Sequence, residues 1–136
     1  MMTWLGRVWQ KRRGLALDVA PACLALACMF WLGLTPLKSL PGPDFEFADK
    51  VWHFIAFGGL AGLFARAFSY FGHAPLLAAG EATALSVALG GLLEVLQSFT
   101  RYRSADFADL LADALGALAA YVVLRALSLA AARDLA

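Results

Sequence analysis

An all-α membrane protein, built as a polytopic bundle of four transmembrane helices, is the fold class this sequence predicts, and three observations carry it. The 136-residue chain is 62% hydrophobic and only 15% charged. Its mean hydropathy is +0.72. Its apolar residues gather into four runs of about twenty, the length a helix needs to cross the roughly 30 Å hydrocarbon core of a bilayer. A soluble domain carries about 25% charged and about 45–50% apolar residues, and a small globule has too much surface to hide the excess. A net charge of +1, with its basic residues local rather than spread over one face, argues against nucleic acid as a partner. Cys23 and Cys28 lie in one apolar run with no CxxC and no histidine at metal spacing, so they read as small packing residues.

The spans are expected at about 17–37, 51–71, 75–98 and 107–129. The first opens beside Asp18 and ends near Thr35-Pro36. It is longer than the roughly 7–15-residue apolar stretch of a secretory signal, so it reads as a retained span despite the basic residues before it. The second follows Ala48-Asp49-Lys50 and stops before Gly72-His73-Ala74-Pro75. The third opens at Pro75, a residue suited to a first helical turn. The fourth follows Ser104-Ala105-Asp106, where Ser104 or Asp106 can cap it. Residues 1–16 then form a basic cytoplasmic segment, 17–129 the membrane domain and 130–136 a cytoplasmic tail.

Lysine and arginine near the spans set orientation. With the N-terminus inside, Arg7, Lys11, Arg12, Arg13, Arg66, Arg125 and Arg133 are cytoplasmic, against Lys38, Lys50, Arg101 and Arg103 outside. The bias favours N-in, C-in. Arg101 and Arg103 run against it, which suggests that something other than topology keeps them there.

Antiparallel spans bring the start of the second helix, the end of the third and the start of the fourth to one membrane face. That face collects Asp49, Lys50 and His53, then Glu94, Gln97, Arg101 and Arg103, then Asp106, Asp109 and Asp113. The spacing is helical. Asp49 and His53 stand four apart, with Phe57 continuing the stripe; Gly90, Glu94, Gln97 and Arg101 follow a 4-3-4 rhythm; Asp106, Asp109, Asp113 and Gly116 follow 3-4-3. Ionisable groups are costly against lipid, so three such stripes from one side predict a shared polar site inside the bundle. Each group also has a plainer reading. Acids at helix starts suit the macrodipole, His53 alone can be a hydrogen-bonded core histidine, and Arg101 and Arg103 can snorkel to headgroups. Gly58, Gly59, Gly62, Gly90, Gly91 and Gly116, with Ala120, read as close-packing positions. Arg66 and Glu81 are expected to pair near the opposite face.

These residues also carry a resemblance. Asp49-Lys50-Val51-Trp52-His53-Phe54-Ile55-Ala56-Phe57 is similar to the DKxxHxxxF element of the VanZ-like family. Gly90 to Gln97 resembles its GxxxExxQ element, followed in order by Arg103, Asp106, Asp109 and Gly116. The match runs over roughly 36–124. It departs at Asp113, where the family usually has asparagine, which adds an ionisable group to the bundle. The resemblance implies a small multi-pass protein of the bacterial cytoplasmic membrane, and a link to the cell envelope. The member that names the family is associated with resistance to the glycopeptide teicoplanin. No reaction is implied.

Function is therefore expected from the polar site. In one reading it binds or acts on an envelope component such as a lipid-linked precursor. Lys50, Arg101 and Arg103 would hold a phosphate or carboxylate, and His53, Glu94 and Asp109 would be the acid–base candidates. Alternatively, His53 and the carboxylates would hold a divalent cation. No PSGH, GxSxG or HExxH motif is present, so the residues leave open whether the protein is an enzyme. In another reading the cluster is a structural ion-pair network in a non-catalytic scaffold. A small transporter has less support, since no inverted repeat is evident, although a homo-oligomer would ease the shortage of spans. Membrane lipids are partners in every case.

Overall fold

The computed structural model describes residues 13–36, 47–101 and 104–133. Among them every regular element is a helix: α1 is Leu15–Asp18, α2 Ala20–Leu34, α3 Ala48–Tyr70, α4 Pro75–Ser98 and α5 Phe107–Arg133. Four stretches, Leu15–Leu34, Ala48–Tyr70, Pro75–Ser98 and Phe107–Arg133, are long and apolar enough to cross a membrane. The first includes a joint at Val19. Pro21 explains it, because proline has no N–H to return to Leu17 and its ring crowds that carbonyl.

The observed helices differ from the expected spans at their ends. The first starts two residues early and places Asp18 inside the helix rather than at its edge. The second starts at Ala48, so Asp49 and Lys50 belong to the helix. The fourth runs on to Arg133. Proline opens α4 as expected. Asp106 caps α5, its Oδ1 accepting from the Ala108 N–H at 2.8 Å.

Helices α3, α4 and α5 pack on one another, and α2 lies against α3 and α4. The core is made of small residues as much as large ones. Ala61, Ala65, Ala78, Ala79, Ala82 and Ala117 are almost fully buried beside Phe57 and Leu60. Large apolar side chains such as Leu24, Trp31, Ile55, Leu92, Val95, Leu118 and Val122 are exposed. A soluble protein would bury them, whereas a membrane protein gives them to lipid and uses small residues where helices meet.

The closest approach is between α3 and α5. A side chain on Gly116 would run into the Phe54 carbonyl, and one on Gly58 would stand 2.9 Å from the Gly116 oxygen. The two backbones therefore touch directly. Gly59 and Gly62, expected to serve the same purpose, have open space where a Cβ would stand.

At one end of the bundle Asp18 is only 2% exposed. Its Oδ1 accepts from Arg66 Nε at 2.8 Å and Nη2 at 2.7 Å. Its Oδ2 accepts the backbone N–H groups of Arg13 at 2.6 Å and Gly14 at 3.1 Å. Gly14 sits at φ 102, a conformation that favours glycine. Arg66 thus takes Asp18 rather than Glu81, and Glu81 accepts from His73 on the neighbouring turn. Both carboxylate oxygens of Asp18 are satisfied, as a buried charge requires.

Gly116→Ala is expected to destabilise the bundle by about 1–3 kcal/mol, the usual cost of forcing a methyl group into a packed contact. Gly59→Ala should leave stability unchanged or slightly raised. Denaturant unfolding in detergent micelles, followed by circular dichroism, measures both.

Candidate functional site

The polar end is assembled from α3, α4, α5 and the turn before α5. Lys50, in the first turn of α3, has three N–H donors, and three carboxylates receive them. Its Nζ lies 3.1 Å from Asp49 Oδ2, 3.1 Å from Asp106 Oδ2 and 3.1 Å from Asp109 Oδ1. One cation thereby ties α3 to the start of α5. Asp106 lies outside the spans. The Ala108 N–H and the Lys50 ammonium hold its carboxyl below the usual carboxylate range.

One turn deeper, His53 is half-buried. Its Nδ1 is 2.8 Å from Asp113 Oδ1 and its Nε2 is 3.7 Å from Asp109 Oδ2. The Phe57 ring stacks on the imidazole, with centroids 6.2 Å apart and planes within 10°. The inward face of α3 is thus Lys50, His53 and Phe57. Asp49, expected on that face, is exposed and joins the cluster only through its neighbour Lys50.

Helix α4 contributes Glu94, 5% exposed. Its Oε2 accepts the backbone N–H of Asp106 at 2.8 Å, which fixes the entry to α5. Among the described residues its buried Oε1 has no hydrogen-bond partner, and neither has Oδ2 of the fully buried Asp113. The reason Asp113 can lie there is Gly90: a Cβ at that position would stand 2.6 Å from Asp113 Oδ2. His53, Glu94 and Asp113 each offer one ligand atom within 4.8 Å of the others.

Not every expected residue converges. Gln97 is buried, but its Nε2 donates to the Gly33 carbonyl at 3.1 Å and so ties α4 to α2 rather than joining the carboxylates. Arg101 lies beyond the end of α4, exposed, and forms no ion pair among the described residues. Arg103 and Tyr102 fall outside the described residues, as do Lys38 and the basic residues Arg7, Lys11 and Arg12. Asp106, Asp109 and Asp113 meet the cluster as expected, and His53 and Glu94 do as well. The direct partner of His53 is Asp113; of Glu94 and Asp109, the two carboxylates grouped with it as acid–base candidates, Glu94 accepts the Asp106 N–H and Asp109 is engaged by Lys50.

Two features escaped the sequence reading. Thr83 and Ser86 extend the buried polar face of α4 inward from Glu94. Thr83 Oγ1 donates to the carbonyls of Ala79 at 2.9 Å and Ala117 at 3.4 Å, and Ser86 Oγ has no partner. Their 3-4 spacing to Gly90 was the available signal, weakened because hydroxyls in a helix readily satisfy themselves on the preceding turn. Asp18 was also missed as a partner of Arg66.

The arrangement supplies an imidazole oriented by Asp113 and two buried carboxylate oxygens that meet no hydrogen-bond donor among the described residues. The VanZ/LLP1 family model matches residues 23–128, which takes in every residue of the cluster. The chain belongs to the VanZ/LLP1 family. No curated protein and no solved structure gave a significant match. As a VanZ-like membrane protein, the chain places the family's DKxxHxxxF and GxxxExxQ elements on facing helices, α3 and α4, and its Asp113 is the residue that His53 bonds.

Lys50→Met would leave three carboxylates facing one another without their shared donor. It is expected to lower stability, chiefly through Asp109, the buried carboxylate of the three. Arg101→Gln should stay within about 0.5 kcal/mol of wild type, as for surface changes generally. Micelle unfolding titrations of the two variants give the comparison.

Proposed function

We propose that this VanZ-like protein sits in the bacterial cytoplasmic membrane, N-in and C-in, and uses the outward-facing polar end to bind or act on a cell-envelope component. The observation that carries this reading is the pair of buried, unpartnered oxygens, Glu94 Oε1 and Asp113 Oδ2, set beside an oriented histidine. Each costs about 1–3 kcal/mol when left unsatisfied, and a purely structural network has no reason to keep two of them together. A substrate group or an ion entering the cluster would satisfy both. His53, held by Asp113, is the acid–base candidate, since geometry comes first in such an assignment. Phosphate capture by Lys50, expected from sequence, loses support because its three donors are already used. Arg101, exposed and without an ion pair among the described residues, offers a cation to a headgroup anion, in keeping with a site at headgroup depth.

A second reading, a non-catalytic scaffold, draws on the Lys50 knot, which links α3 and α5 without any orphaned atom of its own. The two readings diverge at Glu94. Purified protein in nanodiscs is expected to bind a polyprenyl-linked peptidoglycan precursor, with Glu94→Ala weakening it at least tenfold while helicity is retained. Equal binding by the two would favour the scaffold. A link to glycopeptide resistance is tested by growth of a teicoplanin-sensitive host expressing wild type or Glu94→Ala: wild type should tolerate more drug, and the variant should not.

A further inference from the structure

We propose that His53, Glu94 and Asp113 hold one divalent transition-metal ion of the zinc type, a site that rests on the binding reading above and gives it a chemical centre. The three side chains come from α3, α4 and α5, and their ligand atoms lie within 4.8 Å of one another. One imidazole nitrogen and two carboxylate oxygens form a donor set suited to zinc and its first-row neighbours rather than to magnesium or calcium, which prefer oxygen alone.

Three independent features point the same way. Glu94 Oε1 and Asp113 Oδ2 are buried acceptors without donors. Glu94 is 5% exposed and Asp113 0%. A cation supplies what both oxygens lack. The charge balance favours one as well. Lys50 is shared among Asp49, Asp106 and Asp109, no described lysine or arginine forms an ion pair with Glu94 or Asp113, and His53 offers at most one positive charge against these two carboxylates. Finally, the chain keeps a hydrogen atom at Gly90 where any side chain would meet Asp113 Oδ2 at 2.6 Å. The carboxylate is given room beside α4 rather than being packed shut.

The surroundings suit a metal-bound histidine. With the ion on Nδ1 in place of the present contact to Asp113 Oδ1, the Nδ1 proton is displaced, and the neutral ring carries its proton on Nε2, which faces Asp109 Oδ2 3.7 Å away. Asp109 is itself held by Lys50. A carboxylate behind a ligating histidine fixes its tautomer and raises its basicity. Three protein ligands leave the fourth zinc position for water or for a phosphate or carboxylate oxygen of the envelope component. The ion, rather than Lys50, then becomes the group that meets an anionic substrate.

The test uses the full-length protein in detergent, with zinc alone as the probe. Protein dialysed against zinc and washed should carry about one ion per chain by elemental analysis, as one three-ligand site requires. After chelation, the melting temperature should climb with added zinc and respond far less to magnesium. Asp113→Asn and His53→Gln, which nearly preserve volume, should each weaken zinc binding at least tenfold. Glu81→Gln, which removes the separate His73–Glu81 pair, should leave it unchanged. If chelated wild type gains no ion and no thermal shift, the metal site is wrong whatever the variants do. If zinc binding is lost in Glu81→Gln and kept in Asp113→Asn, the ion lies elsewhere and the assignment also fails. Loss of precursor binding in Glu94→Ala alongside a metal-free wild type would overturn this inference alone. Stoichiometric zinc with precursor binding indifferent to Glu94 would overturn the envelope reading and leave the metal site standing.

Discussion

The contact on which the polar end depends contains no side chain at all. Where Phe54, Gly58 and Gly116 meet, the backbones of α3 and α5 touch. Phe54 follows His53 directly, and Gly116 lies one turn beyond Asp113. Bringing those two backbones together is therefore what lets an imidazole and a carboxylate close to 2.8 Å. It also places Lys50, one turn earlier on α3, within reach of Asp106 and Asp109. In lipid there is no hydrophobic gain from sequestering one apolar side chain against another, so close backbone packing and interhelical hydrogen bonds must hold the helices. Here the two act together: the glycines set the distance and the charges use it.

The two ends of the bundle treat buried charge differently. Around Asp18 every carboxylate oxygen has two donors, from Arg66 and from the turn at Gly14. Such a pair is closed, and its cost of desolvation is met within the protein. Around Glu94 and Asp113 the accounting is left open, with one oxygen of each residue unmatched. The contrast lies within one chain and one environment, which makes it a better guide than the number of charges at either end. Polar groups that serve only to lock helices together look like the first case.

Much of this was legible in the sequence, and the reasons it was not complete are geometric. The 3-4-3 spacing of Asp106, Asp109, Asp113 and Gly116 survives into the structure because one regular helix carries the last three and Asp106 caps its start. The choice between Asp49 and Lys50 could not be read in the same way. Adjacent helical residues point about 100° apart, and a long lysine side chain reaches partners that its Cβ direction does not suggest. Gln97 belonged to the right stripe yet bonds the Gly33 carbonyl. That carbonyl is left free by the last turn of α2 and is within reach only because α2 comes close there, and the placement of a neighbouring helix leaves no mark in the sequence. The Asp18–Arg66 pair was hidden for a related reason: placing Asp18 at the edge of the first span removed it from consideration as an interior group. The family's own elements marked the helices correctly, but the partner of His53 is Asp113, the position at which this chain departs from the family's usual asparagine.

The hydroxyls of Thr83 and Ser86 have a consequence for where the polar interior ends. Thr83, Ser86, Glu94 and Gln97 lie on the buried face of α4 and span about 21 Å at 1.5 Å per residue, with Gly90 and Leu93 among them. Helix α3 has nothing comparable: every residue from Phe54 to Ala65 is apolar or glycine. Because the two helices run antiparallel, these stretches stand at the same depth. One wall of the bundle interior therefore goes on offering hydroxyls below Glu94, while the facing wall is closed from Phe57 inward. The inner boundary of the cluster is set by α3, not by α4.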